Sequence, residues 1–134
     1  MKGLLKWLVW ILPIGYMILI WVLSSMPANA VVELPDTRID RFIKESLHLV
    51  EFAILYLLLV MALRTSGRLT RATSIICAVF AISYGLLDEI HQSFVPYRSA
   101  TIIDFVKDTI GVLIAYYFTK PKRVPPKRVP GTTV

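Results

Sequence analysis

At 134 residues the chain has the length of one domain, and 56% hydrophobic residues with a mean hydropathy of +0.65 exceed ordinary soluble usage. The formal net charge is +6, but bases and acids segregate along the sequence in a way that marks membrane topology rather than nucleic-acid binding. The single cysteine, Cys77, lies inside an apolar run and excludes an intrachain disulfide or thiolate cluster.

A bilayer core about 30 Å thick is crossed by roughly 20 mostly apolar helical residues. The first such segment is Trp7–Leu23. Lys2 and Lys6 precede it and "ANA" at Ala28–Ala30 resembles a signal-peptide cleavage site, but the apolar run is longer than a usual signal core, so a retained helix is expected. Pro13 within it is tolerated in membrane helices. "SSMPANAVVELPDTRID" reads as an extracytoplasmic loop, with Pro35, Asp36 and Thr37 marking a helix start that runs on into the second segment, Leu47–Leu63. The third segment, Ala72–Gln92, is apolar until its last turn, and the fourth, Ile102–Phe118, is apolar after its first two turns. The fold predicted is all-α, an integral membrane four-helix bundle over residues 1–119. A basic, proline-rich tail over 120–134 carries the near-repeat "KRVP", and its prolines prevent a regular helix.

Lys2, Lys6, Arg64, Arg68, Arg71, Lys120, Lys122, Arg123, Lys127 and Arg128 fall on one side of this arrangement with no acid among them, while all nine acids fall on the other side or in its half of the membrane. Positive-inside bias makes the basic side cytoplasmic, so the expected protein is multi-pass with both termini inside.

The costly residues concentrate at the opposite, outer end. Ionisable groups within membrane segments face the bundle interior or a water-filled cavity and mark functional sites. Helical spacing puts Lys44, His48 and Glu51 in one stripe of the second segment. In the third, Tyr84, Asp88 and His91 share a stripe with Gln92 alongside, and Glu89 turns about 100° away. In the fourth, Asp104, Lys107, Asp108 and Gly111 align, with Ala115 one turn further on. Gly111 and Ala115 form a small-xxx-small pair that lets a neighbouring helix approach. Glu51 lies about 6 Å into its segment. Asp104 and Asp108 enter to a similar depth, so three helices bring their polar groups to one layer.

"DEIHQSFVPYRSATIIDFVKDTIG" (Asp88–Gly111) together with "IKESLHLVEFAILYLLL" (Ile43–Leu59) resembles the VanZ-like family of small bacterial membrane proteins, with "SSMP" as a further feature. The family pattern falls on Lys44, His48, Glu51, Asp88, Glu89, His91, Gln92, Pro96, Arg98, Asp104 and Gly111. Phe52 stands where tyrosine is common, and Tyr97 where a glycine commonly precedes the arginine. The resemblance implies a cell-envelope protein of the kind associated with teicoplanin-type glycopeptide resistance, and it implies no particular reaction.

The residues support three readings. In the first, the outer site binds an envelope lipid, a lipid-linked intermediate or a lipoglycopeptide, or docks a partner membrane protein or second copy. In the second, the chain is a membrane hydrolase or transferase acting on a lipid-linked headgroup. His48 or His91 is then the base, Glu51, Asp88 and Asp104 orient or polarise, and Arg98 and Lys107 hold phosphate, with Lys44, Glu89 and Gln92 completing the binding surface. A metal variant draws ligands for zinc or manganese from His48, Glu51, Asp88, His91 and Asp104. In the third reading, Lys44, Arg98 and Lys107 pair with the acids and simply knit the helices together. A transporter fits poorly, because the inner halves of the segments carry almost no polar pathway.

Overall fold

Four helices follow one another in the computed structural model, which describes residues 2–26, 35–96, 101–122 and 130–131. They are α1 (Lys2–Ser24), α2 (Thr37–Thr65), α3 (Arg71–Gln92) and α4 (Ile102–Thr119). Of the expected "SSMPANAVVELPDTRID" loop, residues 27–34 lie outside the described residues and its last residues, from Thr37, already belong to α2; the stretch 97–100 with Tyr97 and Arg98 and most of the basic tail also lie outside them.

Local chemistry sets the ends of these helices. At the start of α2, Asp36 Oδ1 accepts a hydrogen bond from Arg38 N (2.9 Å). α3 begins with a reciprocal box in which Thr73 N donates to Thr70 Oγ1 (3.1 Å) and Thr70 N donates to Thr73 Oγ1 (2.7 Å). Thr101 caps α4 by accepting from Asp104 N. α2 stops in a Schellman turn: Gly67 takes φ +70°, Gly67 N donates to Arg64 O and Arg68 N donates to Leu63 O. That turn reverses the chain and sends α3 back along α2.

The helices run up, down, up and down. Trp10 Nε1 donates to Ser66 Oγ (3.2 Å), which fastens the first half of α1 to the α2–α3 turn. At the other end Gln92 Nε2 donates to Ser24 Oγ (3.3 Å). In between, Tyr16 OH donates to Glu51 O (3.0 Å) and Tyr84 OH to Met17 O (2.7 Å).

The core is aliphatic and aromatic on α2 (Phe52, Leu55, Tyr56, Leu59) and small on α3, where Ser74, Ala78, Ala81 and Gly85 are buried at spacings of one helical turn. Small residues let membrane helices approach closely when water supplies no hydrophobic drive between them. α4 crosses α2 closely at Gly111: a Cβ there would collide with the backbone oxygen of Leu49. Outward, the pattern inverts. Trp7 is 77% exposed, Phe118 80%, and Ile76, Val79 and Leu113 also face away from the core. A water-soluble bundle would bury such a surface, whereas lipid solvates it.

Three helical stretches are long and apolar enough to cross a membrane: Lys2–Ser24, Phe42–Thr65 and Arg71–Gln92. The sequence led us to expect a fourth in α4. Its 18 residues span about 27 Å, but Asp104, Lys107 and Asp108 occupy the first two turns and lower its apolarity; Asp108 is buried in the bundle and the other two are half-buried.

Candidate functional site

Gly111 sets the geometry of the outer polar layer. Because its missing side chain lets α4 reach the backbone of α2 at Leu49, the residue one turn earlier, Asp108, is driven against His48. Asp108 Oδ1 lies 3.8 Å from His48 Nδ1, and Glu51 Oε2 lies 3.7 Å from the same nitrogen. One imidazole thus stands between two carboxylates from different helices. Glu89 of α3 completes the cluster: a ligand atom from each of His48, Glu89 and Asp108 lies within 4.8 Å of the other two.

Burial grades across this layer. Asp108 is wholly buried and Glu89 only 6% exposed. The side chains of His48 and Glu51 keep about a fifth of their surface exposed, so the cluster is approached from α2. Gly85 opposes Asp108 from α3; a Cβ there would meet Asp108 Oδ2 at 3.6 Å, an ordinary contact. Among the described residues, neither oxygen of Asp108 has a hydrogen-bond partner. An ionised side chain near the middle of a membrane helix costs about 3 kcal/mol. Carboxylates this close repel unless a proton or a cation stands between them.

A second polar group faces α1. Asp88, also wholly buried, accepts at Oδ2 from Gln92 Nε2 (2.6 Å), which also reaches Ser24. His91 stacks on Trp21, with ring centroids 4.0 Å apart and planes inclined by 22°. Its Nε2 is 2.9 Å from Ser25 Oγ. Since the one Ser25 hydroxyl proton goes to Trp21 O (2.7 Å), Nε2 is the donor to Ser25.

The structure therefore regroups the residues that spacing had aligned. His48 and Glu51 remain together. Glu89, expected to turn away from the stripe of Asp88, faces the cluster, because α3 is packed on both sides: Asp88 and Gln92 meet α1 while Glu89 and Gly85 meet α2 and α4. Of the residues that the sequence offered as metal ligands, His48 falls in the group that, among the described residues, could hold an ion, and its companions there are Glu89 and Asp108. His91 is engaged by Trp21 and Ser25, and Asp88 by Gln92. Asp104 is half-buried one turn before Asp108. Lys44 and Lys107 are half-buried on the turns next to His48 and Asp108. Arg98 lies outside the described residues.

Sequence reasoning left Asp108 out of the named site residues, and from α1 it offered Trp21 alone, as an aromatic at the rim of the site. The available signal for Asp108 was Gly111, three residues on, which marks the side of α4 that meets a neighbour. For Ser24 and Ser25 the available signal was the "SSMP" feature of the family resemblance, which does not by itself say what the serines touch.

The opposite end of the bundle holds a different feature, an open cavity of ≈ 400 Å³ lined by Arg71, Tyr117, Phe118, Lys120, Pro121 and Lys122. Lys120 Nζ sits 4.7 Å from the centre of the Tyr117 ring.

Comparison with known families gives one match: the family model described as VanZ/LLP1 aligns with residues 9–123. Neither the curated proteins nor the solved structures include a match. The matched stretch takes in every helix that builds the polar layer, and the apolar helices make this a membrane protein. The chain belongs to the VanZ/LLP1 family.

Proposed function

We propose that this protein is a multi-pass membrane protein of the bacterial cell envelope, with both termini cytoplasmic, whose outer polar layer receives the headgroup of an envelope lipid, a lipid-linked intermediate or a lipoglycopeptide. Tolerance of teicoplanin-type glycopeptides is the phenotype that goes with this reading. The observation that carries it is the concentration of charge: Asp108, Glu89, Glu51 and His48 meet at one end of the bundle, and the approach to them runs past the partly exposed His48 and Glu51. Buried charge of this kind is poor glue, because desolvation offsets attraction. It is well suited to holding a polar ligand at the membrane surface. Membrane lipids are the constant partners of the outward apolar faces.

The test combines topology and phenotype. Single cysteines at Arg68 and at Arg98 in a Cys77→Ala background should react with a membrane-impermeant thiol reagent from outside only at the second position. Glu51→Gln and His48→Gln should lower teicoplanin tolerance while leaving the yield of folded protein in detergent unchanged. Labelling at the first position, or undiminished tolerance in both variants, would contradict the proposal.

A second reading, a membrane hydrolase or transferase, is favoured by one observation: the His48 imidazole lies 3.7 Å and 3.8 Å from the carboxylates of Glu51 and Asp108. Flanking carboxylates can tune an imidazole for general-base work. Release of product from a lipid-linked phosphate, lost in His48→Gln, would separate turnover from binding.

A further inference from the structure

Asp108 is the least explained residue of the bundle. It is wholly buried, neither of its carboxylate oxygens has a hydrogen-bond partner among the described residues, and Oδ1 is directed toward His48 Nδ1 at 3.8 Å. Buried acceptors are as a rule satisfied, and one that is not asks for a ligand to complete it. The surroundings indicate what kind. One nitrogen and two carboxylate oxygens, from His48, Glu89 and Asp108, converge from three helices to within 4.8 Å of one another.

We infer that His48, Glu89 and Asp108 bind a divalent cation of the zinc–manganese class. A doubly charged ion between Glu89 and Asp108 would offset the repulsion of two carboxylates held in a low-dielectric interior. The mixed nitrogen and oxygen donors suit zinc or manganese. A calcium or magnesium site would be built from oxygen alone, and a copper(I) site from sulfur. Donors around a tetrahedral zinc stand about 3.4 Å apart. The 3.8 Å separation of His48 and Asp108 is close to this. Three protein donors leave a coordination position open, as in sites where a metal polarises a bound oxygen rather than only bracing the fold. Glu51, 3.7 Å from the same imidazole nitrogen, stands beside that position. This goes beyond the headgroup-binding reading and holds whether or not such a ligand docks.

The test needs no substrate. The full chain, purified in detergent and stripped with a chelator, is titrated separately with Zn²⁺ and Mn²⁺, desalted and analysed for metal. The expected result is about one ion per chain and a higher melting temperature with metal than without. Asp108→Asn and Glu89→Gln should each weaken binding by about 100-fold, while Asp104→Asn, one turn away, should bind as wild type. Retention of less than about a tenth of an ion per chain by the wild type would overturn the assignment, as would wild-type binding in both Asp108→Asn and Glu89→Gln. If Asp108→Asn does not fold, the wild-type titration and Glu89→Gln decide the matter.

Discussion

The bundle contains two polar layers, and they are built on opposite principles. Toward the end with the α2–α3 turn, Tyr56 OH and Ser74 Oγ lie 2.8 Å apart, both fully buried, and Thr119 Oγ1 is 3.2 Å from Tyr56 OH. One hydroxyl from each of α2, α3 and α4 meets there, and every one can both give and accept a proton, so the layer closes on itself. The same three helices contribute His48, Glu89 and Asp108 at the other end. There neither carboxylate oxygen of Asp108 has a hydrogen-bond partner among the described residues. A closed neutral layer is what a fold needs to fix its helices. An open charged layer costs stability, and the ligand proposed for it is what would account for its placement.

The sharpest way to break this comparison is at Gly111, which the charged layer depends on. A methyl group there would collide with the Leu49 carbonyl oxygen. Gly111→Ala should lower stability in detergent by about 3 kcal/mol or prevent folding. Gly85→Ala, whose new carbon meets only 3.6 Å contacts, should cost less than about 1 kcal/mol. Equal effects of the two would contradict the crossing described here.

Next in size is the neutral layer. Tyr56→Phe removes the hydroxyl shared by Ser74 and Thr119, and thermal unfolding should show a loss of roughly 1–2 kcal/mol. Teicoplanin tolerance per folded molecule should not change. His91→Ala should cost about 1 kcal/mol through the lost Trp21 stack. Because the ring is held by α1, the variant should keep the metal binding inferred for the cluster, as elemental analysis would show. A larger loss of binding than in Glu89→Gln would make His91 part of the charged layer after all.

Much of this architecture was legible in the sequence. Long apolar runs fixed the helices, because a bilayer demands internal hydrogen bonding along its full depth. The level at which charges gather was also legible, since helical rise converts residue count directly into depth. Which charges meet was less so. Spacing places Asp88 and His91 on one stripe, but it does not say which neighbour that stripe faces, and the rotation of α3 turned both toward α1. Glu89 could not be read as a cluster residue from periodicity because a helix packed on two sides buries more than one stripe. Tyr56, Ser74 and Thr119 gave no signal at all: isolated hydroxyls in apolar helices usually bond to their own backbone, as Thr119 Oγ1 also does to Ala115 O.

The smallest expected change in stability is also the most informative. Asp108→Asn keeps the shape of the side chain, removes its charge and adds a donor, so in chelator the variant should be as stable as wild type or more stable by about 1 kcal/mol.

Asp108→Asn and Tyr56→Phe, compared side by side for thermal unfolding in chelator and for teicoplanin tolerance in cells, form the most direct measurement of the central claim. The account predicts opposite outcomes: Asp108→Asn keeps its stability and loses tolerance, while Tyr56→Phe loses stability and keeps tolerance per folded molecule. An Asp108→Asn protein that is destabilised as much as Tyr56→Phe, with tolerance falling only in step with folded protein, would show instead that the charged layer merely holds the helices together.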